Sequence, residues 1–196
     1  MYRHKDAYYA RAKVAGYRSR AAYKLIELQQ RYHLLHRGDY VIDLGAAPGA
    51  WLQVARSVIG PSGKVVGVDI VPVTTLGEPN VVCLVADALD PEARATALAA
   101  LGRRPNVVLS DMAPKLSGVR PRDLARCTAL ERGALDFAIA TLARGGRFLT
   151  KLMGDTDVCA AARKHFETAK LTRPGATRKG SAECYLVASG IRHVSP

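Results

Sequence analysis

Val41-Ile42-Asp43-Leu44-Gly45-Ala46-Ala47-Pro48-Gly49-Ala50-Trp51 is the stretch on which the fold of this chain turns. It opens as a short apolar run, the pattern of a buried parallel strand. It then breaks into small residues, and a helical pattern follows from about Gly49 to Ile59. Strand, tight small-residue loop and helix make the first unit of a Rossmann-like nucleotide fold. Gly45 and Gly49 let backbone approach a ligand closely, and the helix start offers free N–H groups. The loop lacks the G-x-G-x-x-G spacing of dinucleotide sites and the Lys-Ser/Thr of a phosphate-binding loop. Asp43, an acid at the strand end, argues against a phosphate ligand and for one that carries positive charge.

Downstream, strands keep ending in acids. Lys64 to Asp69 reads as a strand whose Asp69 falls about 20 residues after the loop, where a carboxylate takes ribose hydroxyls. Val81 to Val85 runs into Asp87, placed to accept from an adenine amino group. Pro91 to Leu101 is a helix dominated by Ala and Leu. Asn106 to Ser110 is an apolar strand that ends in Asp111, on the same crevice as Asp43 and Asp69. A cationic nucleoside without phosphate fits three such acids, and S-adenosylmethionine is one. A helix spans roughly Leu124 to Leu142, and Gly145-Gly146 turns it into the strand Arg147 to Leu152. Lys151 lies inside that apolar strand; a strand covered on both faces gives a lysine either a partner or a job. A helix near Val158 to Phe166, a strand near Ala169 to Thr172 and a last strand Cys184 to Ala188, opened by Glu183, complete the chain. The alternation predicts a three-layer α/β/α domain with a mostly parallel sheet.

Upstream, residues 1 to 18 form a basic, aromatic segment ahead of a single domain covering 19–196. Arg3, Lys5, Arg11, Lys13, Arg18 and Arg20 meet Tyr2, Tyr8, Tyr9 and Tyr17, a mixture suited to RNA phosphates and unpaired bases. Ser19 is positioned to cap a helix to about His33, with Ala21, Leu25, Leu28 and Tyr32 on one face and Lys24 beside it. The Lys115 to Arg126 loop, with Arg120, Arg122 and Arg126, and the Arg173 to Ser181 loop, with Arg178 and Lys179, are further candidate RNA contacts. Their common basis is a formal charge of +12, an excess frequent in nucleic-acid binders. No apolar run approaches the ~20 residues of a membrane span. The basic N-terminus has no apolar core behind it, so a secretory signal is not expected. The four cysteines have no C-x-x-C spacing, which argues against zinc and for a reducing compartment, the cytoplasm. A monomer is expected.

The string Asp43-Leu44-Gly45-Ala46-Ala47-Pro48-Gly49-x-Trp51 resembles motif I of the FtsJ/RrmJ-like ribosomal RNA 2′-O-ribose methyltransferases. Gly16-Tyr17-Arg18-Ser19-Arg20-Ala21-Ala22-Tyr23-Lys24-Leu25, Asp111-Met112-Ala113-Pro114 and Ser181-x-Glu183-x-Tyr185 are similar to other motifs of that family. Ala50 departs from it, where bacterial members carry a second glycine. The resemblance implies a Lys24, Asp111, Lys151, Glu183 tetrad around a ribose hydroxyl. It implies S-adenosylmethionine on Asp43, Gly45, Gly49, Trp51, Asp69, Asp87 and Asp111, with no metal. The implied substrate is a uridine ribose of large-subunit ribosomal RNA in the assembling particle. Enzymes that methylate amino groups usually place an aromatic residue after the motif IV acid, and none follows Asp111. Transfer RNA as substrate and a non-catalytic, RNA-binding assembly factor remain the alternatives. Whether Lys151 is a general base or an orienting charge is open at this level.

Overall fold

The computed structural model describes residues 7–115, 117–153, 157–178 and 180–192. Its elements, in chain order, are α1 (Ala7–Val14), α2 (Ala22–Tyr32), β1 (Tyr40–Leu44), α3 (Ala50–Ile59), β2 (Lys64–Asp69), β3 (Val81–Val85) and α4 (Pro91–Leu101). There follow β4 (Val107–Ser110), α5 (Arg120–Thr141), β5 (Arg147–Leu152), α6 (Asp157–His165), β6 (Phe166–Thr172) and β7 (Cys184–Ile191). The seven strands lie in the order β3-β2-β1-β4-β5-β7-β6. Neighbours from β3 to β5 are parallel, and β7 runs antiparallel to both β5 and β6.

Alternation along each strand sorts side chains onto two faces. Val41, Val65, Leu109, Leu149, Tyr185 and Val187 face one core, shared with Leu25 and Leu28 of α2 and Trp51 and Leu52 of α3. Ile42, Val66, Val108, Phe148 and Leu186 face the other, shared with α4, α5 and α6. The period of two therefore assigns Asp43, Asp111, Lys151 and Glu183 to the α2/α3 side: Asp43 and Lys151 near the ends of β1 and β5, Asp111 just past β4 and Glu183 just before β7. The β5–β7 register places Lys151 directly opposite Tyr185.

Three local readings change, and in the described part of the N-terminal segment α1 docks on α2. The Tyr8 and Tyr23 rings are 5.5 Å apart, Tyr17 meets Tyr23 edge-on at 5.8 Å, and the Tyr8 hydroxyl donates to Glu27. Ser19 does not cap α2; its hydroxyl accepts from Ala21 N within a preceding turn. Arg120, Arg122 and Arg126 are helical rather than in a loop, because α5 starts at Arg120. Pro121 suits the first turn, and Asp123 accepts from the N–H groups of Ser117 and Gly118 ahead of it. Strands β6 and β7 run longer than their apolar cores because they pair with each other from Phe166↔Ile191 onward.

No helix among the described residues is long and apolar enough to cross a membrane. Cys83, Cys127, Cys159 and Cys184 are all free.

The β1–α3 loop is seated by close packing at Gly67 in β2. A Cβ there would lie 2.8 Å from the Ala46 Cβ and 3.0 Å from Leu52 Cδ1. Gly67→Val is expected to cost about 1–3 kcal/mol through overpacking, measured by urea unfolding. Unchanged stability would contradict this packing.

Candidate active site

The loops that follow β1, β2, β3 and β4 enclose a cleft of about 810 Å³, lined among others by Gly45, Ala47, Asp69, Ile70, Asp87 and Asp111. Asp69 shapes its wall: one carboxylate oxygen accepts from Ala47 N at 2.9 Å and the other from Val71 N at 2.8 Å. Each oxygen keeps a lone pair for a ligand hydroxyl. Asp87 is exposed on the rim and accepts from Leu89 N.

Asp43 lies beneath the wall rather than on it. It is fully buried, and neither carboxylate oxygen has a hydrogen-bond partner. Burial, then the nearby Asp111 and Asp69 charges, push its pKa well above the usual carboxylate range. Buried polar groups are almost always satisfied, so this acid marks a place where positive charge belongs. The donor set and cleft size thus fit a cationic nucleoside.

Of the implied cofactor residues, Gly45 lines the cleft, whereas Gly49 and Trp51 make contacts outside its lining. Gly45 has φ 78°, and a Cβ on it would lie 2.9 Å from the Met112 Cα; the missing side chain admits the β4 loop. Gly49 has φ 104°, and a Cβ there would lie 2.7 Å from Arg18 Nη1. Trp51 is buried in the core, where its indole N–H donates to Ala21 O at 2.9 Å and its ring packs 6.1 Å from that of Tyr185. It therefore supports α2 and Tyr185 and does not line the cleft.

Asp111 joins this cleft to a charged group on the α2/α3 side. Lys151 Nζ donates to Asp111 O at 2.8 Å and lies 3.3 Å from Asp111 Oδ1. Lys24 Nζ lies 2.7 Å from Glu183 Oε1. The Tyr185 hydroxyl stands between the two ion pairs, 2.9 Å from Asp111 Oδ1 and 3.2 Å from Glu183 Oε1, its one proton shared between them. Burial and these two carboxylates push the Tyr185 ionisation far upward, so it stays a neutral donor. The structure thus brings together all four tetrad residues, in an order the sequence does not reveal: Lys24, Glu183, Tyr185, Asp111, Lys151. Tyr185 is the member that sequence reasoning left without a role. Its signal was the i, i+2 spacing from Glu183, which puts both on one face of an extended chain.

The described candidate RNA contacts lie on α1, just before α2, on α5 and in the loop before β7. Arg11 lies over the Tyr8 and Tyr23 rings, and Arg20 over Tyr8 while also donating to Ala176 O. Lys13, Arg120 and Arg122 are exposed, Arg126 lines the cleft, and Arg178 lines a second, shallower pocket beside Arg173. Arg18 is occupied by backbone carbonyls. Arg3, Lys5 and Lys179 lie outside the described residues. Among the described residues no cluster of three or more His, Cys, Asp or Glu is arranged to hold a metal.

A β3-β2-β1-β4-β5-β7-β6 sheet with its cleft at the carboxyl ends of the parallel strands defines the class I methyltransferase fold. Solved structures agree. A protein from Plasmodium falciparum described as a ribosomal RNA methyltransferase superposes with a TM-score of 0.77 at 25% identity, covering 89% of this chain and 98% of that one. A Streptococcus mutans methyltransferase-like protein, solved with S-adenosylhomocysteine, gives 0.55 at 16% identity, over 85% and 97% of the two chains. In sequence, the ribosomal RNA large subunit methyltransferase E of Syntrophobacter fumaroxidans is 44% identical over 191 residues, 96% of each chain. Residues 17–191 match the FtsJ-like methyltransferase family, and the chain belongs to it.

The Asp43 carboxylate gives a pH test. In the unfolded chain it titrates near ~3.9. Its folded value is raised, so the ligand-free native state holds the proton over a range where the unfolded state has lost it. That contribution to stability is complete below the unfolded value and is lost as pH rises through the folded one. Asp43→Asn should therefore become progressively more stable than wild type as pH rises from 4 upward in urea unfolding of ligand-free protein. A difference independent of pH would contradict the assignment.

Proposed function

We propose that this protein transfers a methyl group from S-adenosylmethionine to the 2′-hydroxyl of a uridine ribose in large-subunit ribosomal RNA. The observation that carries the reading is the Lys24–Glu183–Tyr185–Asp111–Lys151 group, beside a cleft suited to a cationic nucleoside. The ribosomal substrate is supported by relatives named ribosomal RNA large subunit methyltransferase E, at 44%, 45% and 43% identity over more than nine-tenths of this chain.

When bound, S-adenosylmethionine supplies a methyl group activated by a sulfonium. Asp43 offsets its positive charge, Asp69 takes the ribose hydroxyls and Asp87 the adenine amino group. On the other side of Asp111, Lys151 has two of its three N–H directions engaged by the Asp111 backbone and carboxylate. In the neutral amine that acts as base, the third direction carries the lone pair, which takes the proton of the substrate hydroxyl as the oxygen attacks the methyl carbon and the neutral thioether leaves. Lys24, held by Glu183, orients the ribose from the opposite side. Tyr185 keeps the two carboxylates at a fixed separation. Because both lysines are paired with acids, the group is preorganised, and much of the rate is positioning. Lys13, Arg11, Arg20, Arg120, Arg122, Arg126 and Arg178 supply the positive charge that grips phosphates.

Mapping ribose methylation in cells with and without the protein tests the reading. One uridine 2′-O-methyl group should vanish from large-subunit ribosomal RNA and return on complementation with wild type but not with Lys151→Ala. Loss confined to transfer RNA, or no loss at all, would overturn the proposed substrate.

A further inference from the structure

We propose that Arg18 is a positioning residue for the cofactor cleft, clamping the β1–α3 loop to the loop after β2, and not a phosphate contact. The inference rests on the reading that this cleft takes S-adenosylmethionine. Arg18 Nη1 donates to Pro48 O at 3.1 Å and to Thr74 O at 2.5 Å, while Nη2 donates to Thr75 O at 2.8 Å. Three of its five N–H groups are therefore committed to carbonyls from two loops.

Both loops form the cleft. Pro48 follows Ala47, which lines it; Thr74 and Thr75 close the segment that begins with the lining residues Ile70 and Val71. Asp69 ties the two together on the cleft side through its bonds to Ala47 N and Val71 N. Arg18 ties them on the outer side. Between these ties, the loops have little freedom to separate.

The arginine is itself anchored. Its backbone N–H donates to Gln53 Oε1 at 2.9 Å, and Gln53 Nε2 donates to Gly16 O at 2.9 Å. Gln53 belongs to α3, the helix that the clamped loop leads into. Gly49 makes the arrangement possible, since any Cβ there would strike the guanidinium. A planar fork spans three carbonyls in this way; the single ammonium of lysine does not.

The test uses the full-length protein and four forms: wild type, Arg18→Ala, Arg18→Lys and Gln53→Ala. S-adenosylmethionine affinity is measured by calorimetry, RNA affinity as a function of salt with a ribosomal RNA fragment, and KM and kcat by methyl transfer. Both Arg18 variants should weaken cofactor binding about tenfold, the scale of one charge-assisted hydrogen bond. The KM for the cofactor should rise while kcat at saturating cofactor stays near wild type. Retained charge in Arg18→Lys should not rescue. Gln53→Ala, which leaves the guanidinium in place and frees its anchor, should give a smaller loss in the same direction and carries the test if Arg18→Ala does not fold. The salt slope of RNA binding should be unchanged in Arg18→Ala. A slope reduced by about one, with unaltered cofactor affinity, would overturn the clamp and return Arg18 to the RNA phosphates. Wild-type protein that fails to bind S-adenosylmethionine would instead overturn the cofactor reading beneath it.

Discussion

Lys151 places an ammonium inside a strand that is covered on both faces, and the pair it makes with Asp111 is what the surrounding structure depends on. An unpaired charge at that depth costs several kcal/mol or is neutralised. Asp111 offsets it with both a carboxylate oxygen and its own backbone carbonyl. The same carboxylate accepts from Tyr185, whose hydroxyl reaches on to Glu183, which holds Lys24. Two cations and two anions thus form one neutral group with a tyrosine at its centre. Removing Asp111 leaves the buried Lys151 ammonium without its carboxylate partner.

The period of the β-strand makes this convergence possible. β4, β5 and β7 are neighbours or next neighbours, and their alternate residues face the same core as α2 and α3. Acids and lysines that are far apart in the chain are brought to adjacent strand ends. α2 adds Lys24, and the Trp51 indole fixes α2 by its bond to Ala21 O. Asp43 sits at the next strand end as an uncompensated acid. Its buried oxygens have no hydrogen-bond partner, which costs stability.

Much of this was legible in the residues. The bounds Lys64–Asp69, Val81–Val85, Pro91–Leu101 and Arg147–Leu152 fall where apolar runs meet charges or glycines, so local pattern suffices for them. The strand-end acids follow from topology, because parallel sheets place ligands at their carboxyl ends. What was not legible depends on contacts distant in sequence. α1 is polar and weakly amphipathic, and it docks through tyrosine rings and Glu27 rather than an apolar stripe. Trp51 follows the loop closely enough to resemble a ligand contact, yet its helix turns it into the core. Arg18 bonds to residues 56 and 57 positions away, a relation no local motif encodes.

The account is tested most directly at Lys151, by single-turnover methyl transfer to a ribosomal RNA substrate at saturating cofactor. If Lys151 takes the ribose proton, the wild-type rate should rise with pH along one ionisation, and Lys151→Arg should lose nearly all activity because arginine does not release its proton in this range. Cofactor affinity of the variant should be close to wild type, since Lys151 lies beyond Asp111 from the cleft. A Lys151→Arg protein that keeps most of its rate would contradict the proton-transfer role and leave a fixed positive charge as the function of this position.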